Sequence, residues 1–154
     1  MKNIEIERKF LLNSLEGEVV KDYEIEQAYV CIDGKSETRI RKRVEGNEAH
    51  FFLTVKAGEG MVRTEVEVEI TKAQYDELRL TSSRVVTKRR VVTREGFEVD
   101  LYRGNLENLR VVEVEFSSRE EADSFAIPSW FGREVTEDKR FKNRALAISQ
   151  VIPE

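Results

Sequence analysis

One cysteine, one histidine and two prolines are spread over 154 residues, and each scarcity excludes something. A lone Cys31 permits no intramolecular disulfide, so nothing points to an oxidising compartment. It also lacks a catalytic partner, because His50, the only histidine, stands well away from it in sequence, and Cys31 reads as a small packing residue. Without cysteine and histidine clusters there is no typical zinc site. No apolar run approaches the roughly 20 residues that span a bilayer. The opening residues carry acid where a signal peptide would be basic and then apolar. The expected location is therefore cytoplasmic. A net charge of -4 and an isoelectric point near 5.3 argue against a basic nucleic-acid-binding face.

What the chain does have is charge of both signs. Charged residues make up 36% of it, against a usual quarter, yet they almost cancel. The length suits one domain, residues 1–154, with no internal repeat, low-complexity stretch or linker. Alternating segments predict strands at about 3–12, 23–32, 36–45, 50–57, 62–70, 84–93, 96–103 and 109–117. Asp33-Gly34, Glu45-Gly46-Asn47, Gly58-Glu59-Gly60, Glu95-Gly96 and Gly104-Asn105 supply turns. Such short links favour antiparallel neighbours, and eight strands in a small domain form a sandwich or a closed barrel. Thr71 caps a predicted helix through Arg79 with Tyr75 and Leu78 inward. Ser117-x-x-Glu120 and Ser118-x-x-Glu121 each resemble a capping box, opening a helix that Pro128 stops. A third helix runs from about Lys139 to Ile152, with Phe141, Leu146 and Ile148 at helical spacing and Pro153 at its end.

The alternation is ionic on one parity. In an extended strand Glu5, Glu7 and Lys9 share one face while Ile4, Ile6 and Arg8 share the other. Arg39, Arg41 and Arg43 likewise oppose Ile40 and Val44, and Phe52, Thr54 and Lys56 oppose Phe51, Leu53 and Val55. Arg63, Glu65, Glu67 and Glu69 oppose Val62, Val66, Val68 and Ile70; Lys88 and Arg90 oppose Val91. Glu98 and Asp100 oppose Val99, and Glu113 and Glu115 oppose Val112 and Val114. A solvated sheet face also alternates, but it mixes signs, because like charges in register cost stability. Nearly pure runs of one sign, repeated over seven strands, favour an ionic interior. If the sheet closes with that parity inward, the product is a hydrophilic tunnel whose apolar outer wall helices must cover. Buried charge without a partner is heavily penalised, so water, metal or a polyanion has to satisfy it. Arginine rows suit phosphate oxygens, and carboxylate clusters suit Mg²⁺ or Mn²⁺.

Taken in order, Glu5-x-Glu7-x-Lys9, Arg39-x-Arg41, Lys56, Arg63-x-Glu65-x-Glu67, Lys88-x-Arg90, Glu98-x-Asp100, Glu113-x-Glu115 and the closing stretch 135–143 resemble the CYTH family, the triphosphate tunnel metalloenzymes. The resemblance spans essentially the whole chain. It implies a mainly β (α+β) fold, a closed eight-stranded antiparallel barrel with a charged interior and a few covering helices. It implies that Lys9, Arg39, Arg41, Lys56, Lys88 and Arg90 clamp a triphosphate, with Lys139 or Arg140 as a further inward base. Glu5, Glu7 and Glu115 are the expected ligands of Mg²⁺ or Mn²⁺, with Glu113 and Asp100 near the same region. Glu65 and Glu67 would position or activate water, with Glu69 competing for those two places. Lys9 and Arg41 join them as the catalytic set.

The implied reaction is hydrolysis of a terminal phosphoanhydride, with inorganic triphosphate as the leading substrate. It needs no Ser or Cys nucleophile, and there is no Walker-type loop. An organic triphosphate (nucleotide, thiamine triphosphate, or ATP cyclised to cyclic AMP) and a non-catalytic polyphosphate-binding module are the alternatives. The expected partner is thus a small-molecule triphosphate, without nucleic acid or membrane, on a monomer or homodimer. Tyr23, Tyr29, Phe52, Tyr102 and Trp130 read as packing aromatics. A tunnel open at both ends and a cup plugged by the last helix both remain compatible with the sequence.

Overall fold

Alternation becomes strand along most of the chain. The computed structural model describes residues 3–58 and 62–154, with side chains from residues 5–58 and 64–154. Glu59 and Gly60 of the expected turn at Gly58-Glu59-Gly60 and the side chain of Arg63 lie outside the described residues. The strands are β1 (Asn3–Ile4), β2 (Ile6–Leu12), β3 (Val19–Asp33), β4 (Ser36–Glu45), β5 (Glu48–Ala57), β6 (Val62–Glu69), β7 (Val85–Thr93), β8 (Glu98–Tyr102), β9 (Arg110–Phe116) and β10 (Phe131–Glu134). The helices are α1 (Lys72–Arg79), α2 (Arg119–Asp123) and α3 (Asn143–Ser149). Gly34 and Gly46 turn the first two hairpins at φ 57°, a conformation that costs glycine nothing.

All ten strands form one antiparallel sheet in the order β1-β6-β5-β4-β3-β7-β8-β9-β2-β10. The closed eight-stranded barrel expected from the sequence is not what forms, and the reason lies at Glu5. There the predicted strand 3–12 breaks. Asn3 and Ile4 pair with Arg63 and Val62 of β6, whereas Ile6 to Leu11 pair with Phe116 to Val111 of β9. The outer edge of β2 is then taken by β10, with Phe131 opposite Leu12 and Glu134 opposite Phe10. On the edge away from β5, β6 therefore meets only the two-residue β1, and the sheet curls into a trough without closing. β10 escaped the sequence reading because four residues, Phe-Gly-Arg-Glu, carry no visible alternation.

The outer face of the trough is covered in two halves. Thr71 caps α1 in a full capping box with Gln74, and Tyr75 packs with Ala28, Ile40 and Phe51. α2, β10 and the segment between them lay Phe125, Trp130 and Phe131 over Phe10, Val91, Val99, Val112 and Val114. The cap of α2 is Ser118, which accepts from Glu121 N, and the helix ends at Asp123, well before Pro128. Outward-facing Val55, Val66 and Val68 on β5 and β6 stay exposed, so the helices do not cover the whole wall.

A third cluster fills one end of the trough. Tyr29, Val86, Tyr102 and Val111 have the inward parity, and they pack against Val135, Phe141, Leu146 and Ala147. The predicted C-terminal helix is shorter than expected: a 3₁₀ turn at Lys139–Phe141 precedes α3, and Gln150 at φ 55° ends it before Pro153. That restart moves the helical period, so Ala147 is buried and Ile148 faces out at 57% exposure. The trough is thus a cup plugged by α3. Among the described residues, no helix is long and apolar enough to cross a membrane.

Candidate active site

The inner face of β4 carries Arg39, Arg41 and Arg43. In register across β5 they meet Thr54, Phe52 and His50, and across β3 they meet Tyr29, Gln27 and Ile25. None of these neighbours is an acid, and among the described residues none of the three arginines has an ion-pair partner. Arg41 Nε donates to Gln27 Oε1 at 2.8 Å, and Gln27 Nε2 donates to the Tyr29 hydroxyl at 2.7 Å. Burial and the like charges of Arg39 and Arg90 push Arg41 down to about 10. Arg39 Nε is buried without a hydrogen-bond partner, which costs a protein about 1–3 kcal/mol unless something supplies an acceptor.

The opposite wall is built differently. Lys88 on β7 is fully buried, and its Nζ lies 2.7 Å from Asp100 Oδ2 on β8. Arg90 spans both acids of β8, with Nε 2.7 Å from Asp100 Oδ1, Nη2 2.9 Å from Oδ2 and Nη1 2.8 Å from Glu98. Burial alone would raise the Asp100 carboxyl, but Lys88 and Arg90 outweigh it and hold it well below the usual carboxylate range. Burial outweighs Asp100 for Lys88 and pushes the amine down to about 8. Asp100, expected near the metal, thus has both oxygens engaged by cations.

The remaining acids gather near the Glu5 break. Lys56 Nζ lies 4.0 Å from Glu5 and 3.9 Å from Glu65, which are close enough to hydrogen-bond each other. Burial, and then that bond, raise Glu65 above the usual carboxylate range. On the next strand pair Glu7 lies opposite Glu115, and Lys9 opposite Glu113, with Lys9 Nζ 3.4 Å from Glu113. Glu7 and Glu113 also hydrogen-bond. Desolvation, then the Glu113 charge, push Glu7 up to about 7, while Lys9, Lys88 and Arg90 overcome burial to hold Glu113 low. The surface of Glu7 is open along the trough while its surroundings are dense, and the raised value follows the surroundings. Thr54, itself buried, donates to Glu67 at 3.0 Å. Glu69 lies nearer the rim beside His50, at 3.5 Å.

Several neutral residues of the closing stretch 135–143, which the sequence marked as a stretch without giving them individual roles, hold the site. Thr136 Oγ1 accepts from Lys9 N at 3.0 Å, and Val135 N donates to Lys9 O at 2.8 Å. Lys9 Nζ also donates to the Phe141 carbonyl at 3.2 Å. Asn143, the first residue of α3, accepts from the Tyr102 hydroxyl at 2.5 Å and lies 3.4 Å from Lys88 Nζ. The plug thus touches two of the predicted lysines. Lys139 does not join them: it is exposed on the 3₁₀ turn with no ion pair among the described residues, and Arg140 pairs with Asp138 at 2.7 Å.

A 150-residue stretch spanning 94% of the chain is 40% identical to 97% of an inorganic triphosphatase of Nitrosomonas europaea. The chain belongs to the inorganic triphosphatase family. A second relative, the inorganic triphosphatase of Acetivibrio thermocellus, is 34% identical over 149 residues, 92% of each protein. The crystal structure of the inorganic triphosphatase NE1496 superposes with a TM-score of 0.71 at 39% identity, covering 97% of both chains. No family profile matches the chain. In this member of the inorganic triphosphatase family, carboxylate pairs are the groups able to take a divalent cation. Among the described residues no three acids, histidines or cysteines converge into a self-contained metal site. Mg²⁺ is usually held by only one or two carboxylates, with substrate phosphates and water completing its sphere, so a pair drawn from Glu5, Glu7 and Glu115 could take such a role.

Proposed function

We propose that the chain hydrolyses inorganic triphosphate to diphosphate and phosphate with the help of Mg²⁺ or Mn²⁺. The observation that carries this reading is the row of Arg39 and Arg41, which faces the trough without an ion-pair partner among the described residues and with a buried guanidinium nitrogen unsatisfied. A polyanion supplies what the row lacks, and bidentate guanidinium–phosphate bonds are among the stronger charge-assisted contacts. Lys9 and Lys56 add point charges from the neighbouring strands. Lys88 and Arg90, already matched by Asp100 and Glu98, stiffen the opposite wall and contribute field, with less free valence for substrate.

The reaction requires a water oxygen to attack a terminal phosphorus while the bond to the bridging oxygen breaks and diphosphate leaves with the electron pair. Glu65 and Glu67 would orient that water and accept its proton; Glu67 accepts from Thr54, and Glu65 lies 3.9 Å from Lys56. A cation held by one or two of Glu5, Glu7 and Glu115 would neutralise charge developing on the phosphate oxygens. Phosphoryl transfer is mainly positioning and electrostatics, which a rigid charged trough supplies. The names of two relatives support the same substrate. The test is phosphate release from tripolyphosphate with Mg²⁺ or Mn²⁺, beside ATP and thiamine triphosphate at equal concentration and EDTA controls. Release from tripolyphosphate should be fastest and should stop in EDTA; an inert protein would overturn the reading.

A further inference from the structure

One residue of the site is gripped from outside the trough. Lys9 sends its side chain to Glu113, while its main-chain N–H and C=O point to the β10 side of β2. The Lys9 carbonyl accepts from Val135 N, just past the end of β10. A regular antiparallel ladder would return the Lys9 N–H to the Val135 carbonyl. That carbonyl is instead turned to Asp138 N at 3.0 Å, where the chain leaves the sheet. Thr136 Oγ1 takes its place, 3.0 Å from Lys9 N. The hydroxyl has one hydrogen to give. Glu134 Oε2 lies 2.6 Å away and Lys9 O 3.5 Å, so the hydrogen goes to Glu134 and a lone pair is left for Lys9 N–H. Arg8 holds Glu134 through two hydrogen bonds and donates to the Ala122 carbonyl of α2 at 2.8 Å. The contacts therefore run from α2 on the outer wall to Lys9 inside.

We propose that Thr136 is a positioning residue for Lys9, its hydroxyl aimed by Glu134 and Arg8, so that part of the reaction's machinery lies on the outer wall. This rests on Lys9 acting on the triphosphate. An ammonium has three donors, and Glu113 and the Phe141 carbonyl take two of those on Lys9. The third is aimed only as well as the main chain beneath it is fixed. Without the Thr136 acceptor the Lys9 amide loses its partner and the strand can shift at that point. A misplacement of about 1 Å can cost a reaction about a hundredfold, so a small movement of Lys9 is enough to be read in the rate.

The test is a double-mutant cycle on the full chain: wild type, Thr136→Val, Lys9→Met and the double variant, with Thr136→Ser beside them. It reads kcat/KM on tripolyphosphate, tripolyphosphate affinity by calorimetry in EDTA, and hydrogen-exchange protection of the Lys9 main-chain amide. Thr136→Val should lower that protection and cut kcat/KM about tenfold, but less than about twofold in the Lys9→Met background, because the two residues act as one unit. Thr136→Ser keeps the acceptor and should stay within about threefold of wild type. Glu134→Ala, a surface change, goes through the same cycle; its smaller loss should also vanish in the Lys9→Met background, and it decides the matter if Thr136→Val does not fold. An equal loss in both backgrounds would mean that the hydroxyl serves the fold alone, and the proposal falls. Unchanged kcat/KM in Thr136→Val sinks it as well. If wild type does not hydrolyse tripolyphosphate, the triphosphatase reading falls by itself. The positioning role is then decided by calorimetry: Thr136→Val must weaken tripolyphosphate binding when Lys9 is present and not in the Lys9→Met background.

Discussion

On β4, Arg39, Arg41 and Arg43 face the trough without an acid partner among the described residues; on β7, Lys88 and Arg90 are locked to Asp100 and Glu98. Both segments read in the sequence as a base at every second position. The register separates them. Arg90 lies directly opposite Asp100 on β8, while Arg39 and Arg41 lie opposite Thr54 and Phe52 on β5. A cation with a built-in counter-charge stabilises the fold, whereas one without it waits for an anion. Identical motifs thus acquire opposite duties from a strand elsewhere in the chain.

The largest expected effect comes from unbalancing the matched wall. Asp100→Asn leaves fully buried Lys88 without its counter-ion, and breaking a buried pair costs about 3–5 kcal/mol. Urea denaturation should show that loss; a change below about 1 kcal/mol would erase the contrast between the walls. Arg41→Ala acts on the unmatched wall and should do the reverse. The urea midpoint should hold or rise, because a cation crowded by Arg39 and Arg90 is gone. Tripolyphosphate kcat/KM should fall about a hundredfold, some 2.7 kcal/mol of transition-state binding. Parallel loss of stability and rate would make Arg41 a structural residue like Lys88.

Thr54→Val sharpens the comparison at a neutral position. It removes the donor that aims Glu67 and should cost about tenfold in kcat with KM little changed. A rise in KM alone would move Glu67 from water positioning to substrate binding. The smallest effect tests compensation without burial. Glu134 accepts two hydrogen bonds from Arg8 on the outer surface, and its side chain is 36% exposed. Arg8 holds that carboxyl below the usual range, so its contribution is present at neutral pH and is lost as pH falls through the lowered value. Glu134→Gln should destabilise by less than about 1 kcal/mol at pH 7. The difference from wild type in thermal melts should vanish in strong acid.

How much of this was legible follows from what each feature depends on. Parity is local, so the inward rows of Glu5, Arg39, Arg41, Glu65, Lys88 and Glu113 were visible in a chain whose charges alternate. Pairing is not local. Nothing near Arg90 announces Asp100 as its partner, and nothing near Arg41 announces Gln27. Thr54, Thr136 and Asn143 matter only through chain segments brought to them by the fold. The closed barrel was expected because strand 3–12 looks continuous; the break at Glu5, where the segment changes partners, leaves no mark on the alternation. Ile148 was placed inward because the period was run through Lys142, where the structure restarts it.

The break at Glu5 also sets an order in time. β2 pairs with β9 across 100 to 110 residues, from Leu11↔Val111 to Ile6↔Phe116, while β3, β4, β5 and β6 pair with their sequence neighbours. Loop closure makes such distant pairing slow, so the β3–β6 meander can form early and the segment made before it waits. Until β9 exists, Glu7 and Lys9 have no strand to face, and their part of the candidate site is completed last. A nascent or half-folded molecule therefore presents the arginine row without Glu7, Glu113 and Glu115. Polyphosphate in the refolding buffer would meet a basic sheet before it meets an enzyme.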